Sequence, residues 1–217
     1  LMDSAVQRFD AADFRARAGR HRPEDEVTGP GPSYLAHGDH ALNADMVLGI
    51  DQKSLRDAAV LIPVIDDGDE ARVILTQRTA TLRKHSGQIA FPGGAVDPDD
   101  ESVDFAAKRE AQEEIALDPR LVEVVGRLPD YLTMTGFRIT PVLSVVKPGF
   151  DLVPNPAEVD AIFEVPLGFL MDPANHRQES RVWEGRKRHY FSMPYGDRYI
   201  WGVTAGIIRV LYERLYS

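Results

Sequence analysis

The chain of 217 residues contains no cysteine. That excludes disulfides, zinc–thiolate sites and thiol nucleophiles, and it agrees with a cytoplasmic enzyme without fixing the compartment. Long apolar runs are missing as well. The longest, around Ala58–Ile65, falls far short of the roughly 20 residues a bilayer-spanning helix needs. Leu1 to Gly19 carries Asp3, Asp10 and Asp13 among its apolar residues, so no secretory signal is expected there. The Leu1-Met2 opening reads as a leftover residue ahead of a native start at Met2. Basic charge is in short supply: 25 Lys and Arg against 34 Asp and Glu leave a net charge of −9. That balance argues against a protein living on nucleic-acid phosphate. Neither nucleic acid nor a membrane is therefore an expected partner. A homodimer is compatible with the chain but not required by it. The apolar fraction of 43% supplies one large domain, or one domain with extensions.

What the chain does have is one dense stretch, Phe91 to Leu117, with Arg109-Glu110-Ala111-Gln112-Glu113-Glu114 at its centre. On a helix, Glu110, Glu113 and Glu114 fan over an arc of about 100°. On a surface they would only repel one another. Facing a cleft, they would hold a hard divalent cation, which prefers oxygen ligands. Pro92-Gly93-Gly94, just ahead, makes a tight turn whose bare backbone can approach a ligand closely. Turn, acidic loop and glutamate helix together point to metal-assisted phosphate chemistry. Base gathers at Arg78–Lys84, immediately before the acidic stretch, and again at Arg177–His189. Taken alone, such charge runs are as readily two solvated faces.

Residues 1–50 read as an N-terminal extension: a short helix over Ala5–Ala18, then an irregular Gly- and Pro-rich connector. Packing onto the main domain or onto a partner subunit is its expected role. Residues 51–217 read as the catalytic domain. Ala58–Ile65 is a nearly continuous apolar run, as expected of a strand buried on both faces. Arg72–Arg78 is the second arm of a hairpin. Ser86–Gly94 is a short extended piece, and Ser102–Ala116 is the glutamate helix, with Asp100 and Ser102 as candidate caps. Val122–Leu132, Ile139–Val146 and Ala161–Val165 are strand-like. Pro166–Leu170 starts a small helix, Arg181–Met193 forms a hairpin, and Trp201–Tyr216 is an amphipathic helix. Mixed strands with two main helices far apart in sequence suggest an α/β/α sandwich with a mixed sheet rather than a doubly wound parallel sheet.

Gly94, Glu101, Arg109-Glu110, Glu113-Glu114 and Leu117, taken in order, resemble the Nudix box. Two departures stand out. Six residues separate Gly94 from Glu101 where the commonest box has five, and Ala116 stands where glycine is usual. Upstream, Leu75-Thr76-Gln77-Arg78, Arg83, Gly87 and Phe91-Pro92-Gly93-Gly94 resemble the signature that precedes the box in coenzyme A pyrophosphatases. Thr135-Gly136-Phe137 with Thr140-Pro141, and Ile200–Ala205, are similar to later pieces of the same group. The resemblance covers about Ala58–Leu211. It implies the Nudix α/β/α fold and cleavage of the diphosphate of coenzyme A, giving 3′,5′-ADP and 4′-phosphopantetheine or its acylated form. Other Nudix substrates (ADP-ribose, dinucleotide polyphosphates) and a non-catalytic nucleotide-binding module are the alternatives.

The resemblance puts Mg2+ or Mn2+ on Glu110 and Glu114. Glu113 would complete a multi-metal site, and the Gly94 carbonyl is a further ligand candidate. Arg109 is expected to orient a box carboxylate, with Glu101 the first choice. Arg78 and Arg83 are candidates for phosphate, since guanidinium binds phosphate oxygens in a bidentate manner. His85 and Gly87 complete the expected substrate-binding set. For the base that activates water, Glu113 comes first, with Glu158 or Glu164 beyond the box as second choices. Trp201-Gly202 is expected to pack rather than to stack on a nucleotide.

Overall fold

A computed structural model describes residues 7–21, 37–49, 54–81 and 87–217. The element order is α1 (Ala11–Arg20), β1 (Arg56–Ile65), β2 (Arg72–Arg78), β3 (Ile89–Ala90), β4 (Gly93–Ala95) and α2 (Val103–Ile115). Then come β5 (Val122–Arg127), β6 (Tyr131–Leu132), β7 (Phe137–Val146), β8 (Val159–Pro166) and α3 (Leu167–Leu170). The chain ends with β9 (Arg177–Trp183), β10 (Arg186–Tyr195), β11 (Arg198–Trp201) and α4 (Val203–Leu215).

The main sheet runs β3-β2-β1-β7-β5, with β4 on β1, β6 on β7 and β8 on β2. β1 and β7 pair in parallel over their whole length, Arg56 opposite Phe137 through Ile65 opposite Val146. The other pairings are antiparallel, so the sheet is mixed. β1 earns its central place by sequence: both faces of Ala58–Ile65 are apolar, and Ala59, Leu61, Ile62 and Val64 are fully buried. β1 touches β2 only at Val64–Val73 and Ile65–Arg72, then diverges from it. Further down, β4 lies against β1 and β3 against β2.

Each face of the sheet is covered by its own core. On one side α2 packs through Ala106, Ala107, Ala111 and Ile115 against Ala59, Leu61 and Ile74. On the other, α1, α3 and α4 contribute Phe14, Leu167, Leu170, Ile208 and Leu211 against Ile62, Val64 and Val73. This is the expected α/β/α sandwich. A separate three-stranded sheet, β11-β10-β9, flanks it. Its β9–β10 hairpin turns at Glu184-Gly185 and starts four residues earlier than the sequence pattern indicates.

The first helix is tied into the body. Asp10 caps it by accepting from the Asp13 N–H at 2.7 Å. Phe14 is fully buried, and Arg17 donates to the Leu215 carbonyl at 2.7 Å. Beyond it, Asp39 accepts from the Tyr131 hydroxyl and the Met134 N–H, while Asn43 exchanges hydrogen bonds with the backbone of His189.

Candidate active site

α2 starts and stops for local reasons. Ser102 Oγ accepts from the Phe105 N–H at 3.1 Å, the capping role expected of it. At the other end Ala116 adopts the left-handed conformation, φ +56°, where glycine would be unstrained. The Ala116 and Leu117 N–H groups return to the Gln112 and Ala111 carbonyls, closing the helix all the same. The helix ends in register with the fold despite the missing glycine.

Its rotation is set by the apolar stripe Ala107–Ala111–Ile115, and this sorts the three glutamates. Glu114 lies on the stripe, with 2% of its side chain exposed. Glu110 sits beside it, at 15%, while Glu113 is carried outward and is 55% exposed. The Gly93-Gly94 turn is pressed onto this pair. The Gly93 N–H donates to Glu114 Oε2 at 3.1 Å. A Cβ on Gly94 would stand 2.6 Å from the Glu110 carboxylate, and one on Gly93 would stand 2.4 Å from the Ala59 carbonyl. Close approach to the β1 backbone demands glycine at 93, and at 94 a Cβ would force the Glu110 carboxylate to shift. Backbone angle is the reason at neither.

Burial is the main cause that raises both carboxylic acids above the usual range. It pushes Glu114 up to about 7, against the Gly93 hydrogen bond and the charge of Arg78. Glu110 is raised too, with Arg109 opposing the effect. The negative charges of Glu158 and of Glu110 itself add to the rise at Glu114. Glu158 therefore lies close enough to both carboxylates for its charge to be felt. It sits in the loop that packs on the end of α2, where the Asn155 N–H donates to the Glu114 carbonyl and the Thr79 N–H to the Glu158 carbonyl.

Arg109 is organised differently from the expectation. Its partner is Asp100, not Glu101: Nε reaches Oδ1 and Nη2 reaches Oδ2, both at 2.9 Å. Asp100 is almost completely buried, while Glu101 is exposed. The remaining donors go to Glu110 Oε1 at 3.0 Å, Glu113 Oε2 at 3.3 Å and the Ala95 carbonyl at 3.1 Å. One guanidinium thus ties the acidic loop, β4 and two box glutamates together. The signal was in the spacing, since Asp100 stands at the five-residue interval from Gly94 that the commonest box has.

Arg78, at the end of β2, places Nη1 3.5 Å from Glu114 Oε1. Its Nε is buried and has no hydrogen-bond partner among the described residues, while a quarter of the side chain stays exposed. Gly87, at φ +69°, turns the chain back so that its N–H meets the Arg78 carbonyl. Arg83 and His85 lie outside the described residues. Glu164 stands apart, paired with Arg72 at 3.1 Å toward the other end of β8. Trp201 packs within the molecule, edge-on to Tyr190 at 5.3 Å and under Arg181 at 4.4 Å.

A family model described as the NUDIX domain matches residues 55–184. The chain belongs to the Nudix family. The protein is a Nudix hydrolase, acting on acid anhydrides, and the turn-and-helix site lies within the matched residues. It is similar to an uncharacterized Nudix hydrolase NudL of Cronobacter sakazakii, 45% identical over 164 residues, which cover 72% of this chain and 81% of that one. It is also similar to the mitochondrial Nudix hydrolase 15 of Arabidopsis thaliana, 46% identical over 169 residues, covering 72% and 59% of the two chains. Among solved structures it resembles the Nudix hydrolase RenU of M. smegmatis, at 27% identity and a TM-score of 0.44, over 51% of this chain and 70% of that one.

Nudix hydrolases generally use divalent ions such as Mg2+ or Mn2+. The residues here suit such an ion. Glu110 and Glu114 give hard oxygen donors one helical turn apart, desolvated and pressed against a turn without side chains. Two carboxylic acids whose pKa burial has raised are what a nearby cation would relieve. Among the described residues no three acidic or imidazole side chains converge into a ready cage. Glu113, turned outward onto Arg109, stands apart from the pair.

Proposed function

We propose that this Nudix hydrolase cleaves the diphosphate of coenzyme A or of acyl-CoA, releasing 3′,5′-ADP and 4′-phosphopantetheine or its acylated form. The observation that carries the reading is the position of Arg78. It belongs to the upstream stretch that resembles coenzyme A pyrophosphatases, and it meets the buried box glutamate Glu114. That supports a role for the upstream stretch in binding the phosphates that the box acts on.

Glu110 and Glu114 would hold the divalent cation, with the Gly94 backbone beside them. When bound, such an ion neutralises diphosphate charge, orients the phosphates and lowers the pKa of water. Arg109 fixes the Glu110 carboxylate and is itself fixed by Asp100. Arg78, with part of its side chain exposed, offers its guanidinium to a phosphate oxygen. The proton of the attacking water goes to Glu158, which is half-buried and near the pair. Glu113 is the weaker candidate for this task because Arg109 engages it and solvent surrounds it.

Incubation with CoA, ADP-ribose and diadenosine polyphosphates, each with Mg2+ or Mn2+, tests the proposal. CoA is expected to show the highest kcat/KM. A higher value for either alternative would move the substrate assignment there.

A further inference from the structure

A trough of about 500 Å³ lies between the edge of the main sheet and the loop that follows β7. Phe150, Leu152 and Pro154 form one wall, and residues 160–164 of β8 form the other. Among the described residues β8 pairs with β2 alone. Its outer edge therefore presents backbone N–H and C=O groups that a further extended chain can meet.

The charge of the trough selects against phosphate. Asp160 and Glu164 mark its two ends, and about half of the surface between them is apolar, with Phe150, Leu152 and Ile162 contributing. Asp160 accepts from the Ala80 N–H at 3.3 Å and Glu164 is held by Arg72, so both carboxylates are anchored. A phosphate placed there would meet like charge in a partly desolvated setting. A neutral chain would bury apolar surface, and any secondary amides it carried would find partners along the strand edge, as an added strand does.

The trough also starts close to the proposed site along the strand. Val159 is the strand partner of Arg78, and Ala161 that of Gln77. It thus begins one or two residues beyond the arginine that faces Glu114. Five residues of strand at ~3.3 Å each give a length of about 16 Å. That accommodates an extended arm with two amide units.

We infer that this trough binds the uncharged, amide-bearing arm of the diphosphate substrate, leaving the phosphate-bearing nucleoside half on the other side of the scissile bond. The inference rests on the coenzyme A reading above and adds an orientation to it. Pantetheine, the arm alone, is the probe. Because the chain has no cysteine, its thiol cannot form a mixed disulfide with the protein.

Titrating pantetheine into the full-length, isotope-labelled protein without metal should shift backbone amide resonances of residues 150–164 saturably. Leu152→Trp, which fills the trough, should abolish those shifts. Phe150→Ala, which removes a wall and leaves the strand intact, should weaken binding at least ~5-fold. Absence of saturable shifts in the wild type, or equal binding in both variants, overturns the inference. The two readings fail separately. Pantetheine binding without CoA turnover removes the catalytic reading and keeps the trough. CoA turnover with a KM unchanged by Leu152→Trp removes the trough and keeps the catalytic reading.

Discussion

Arg109 grips Asp100 with two nitrogens, each 2.9 Å from a carboxylate oxygen, and leaves Glu101 exposed. The Asp100 side chain is buried, so neutralising it weakens two charge-assisted hydrogen bonds, although Arg109 keeps Glu110 and Glu113 as partners. Asp100→Asn should cost about 2–3 kcal/mol of stability. It should also lower activity, because Arg109 then holds Glu110 in place less firmly. Glu101→Gln should change stability by less than about 0.5 kcal/mol. Denaturant titration of both variants checks the contrast.

The same pair has a pH signature. The Arg109 guanidinium beside Asp100 holds its carboxyl below the usual carboxylate range. A group depressed in the folded state stabilises fully above its unfolded pKa, about 4, and the contribution is lost as pH falls through the folded value. Acid unfolding of Asp100→Asn should therefore show a flatter dependence below about pH 4 than the wild type.

Glu114 works in the opposite direction. Burial pushes it up to about 7, so the metal-free folded state binds a proton that the unfolded chain releases near pH 4.5. Stability of the metal-free protein should fall as pH rises between those values, by up to roughly 3 kcal/mol. Glu114→Gln should remove most of that slope. Saturating Mg2+ should raise the Tm of the wild type above pH 7 and leave the variant little changed. Thermal unfolding against pH, with chelator and with Mg2+, reads both effects.

The double-glycine turn separates fold from function. A Cβ on Gly94 meets the end of a flexible glutamate, whereas one on Gly93 meets the backbone of β1. Gly94→Ala should thus fold with a modest loss of Tm while displacing Glu110 and weakening Mg2+ binding. Gly93→Ala should lose several degrees of Tm outright. Calorimetry of metal binding and of unfolding distinguishes them.

The N-terminal helix is anchored through the fully buried Phe14 and the Arg17–Leu215 hydrogen bond. Phe14→Ala should destabilise the whole domain by about 3–5 kcal/mol, the usual range for emptying a buried aromatic site. A single unfolding transition shifted as a whole is the expected result. A separate early transition would make residues 7–21 an independent unit.

The sandwich could be read from sequence because its parts are locally determined. The apolar run of β1, the bounds of β2 and the capping of α2 by Ser102 all follow from residue type and spacing. The carboxylates of the box were equally legible. Which carboxylate does what was not, because it depends on how far α2 is rolled against the sheet. The stripe Ala107–Ala111–Ile115 sets that roll, burying Glu114 and turning Glu113 outward. That stripe, counted along the helix, would have separated the two. Asp100 was hidden by a one-residue ambiguity: adjacent acids at 100 and 101 satisfy the spacing almost equally, and only the folded loop decides. The trough along β8 had no sequence signal, since it is formed by a loop crossing an edge strand.

The most direct test of the central claim is to identify the products formed from coenzyme A with Mg2+, in the wild type and in Glu114→Gln. The wild type should yield 3′,5′-ADP and 4′-phosphopantetheine. The variant should lose roughly 100-fold or more of that rate, in line with the several kcal/mol a bound cation supplies, while keeping its fold. Intact coenzyme A after incubation with the wild type, while ADP-ribose or a dinucleotide polyphosphate is cleaved, would contradict the account.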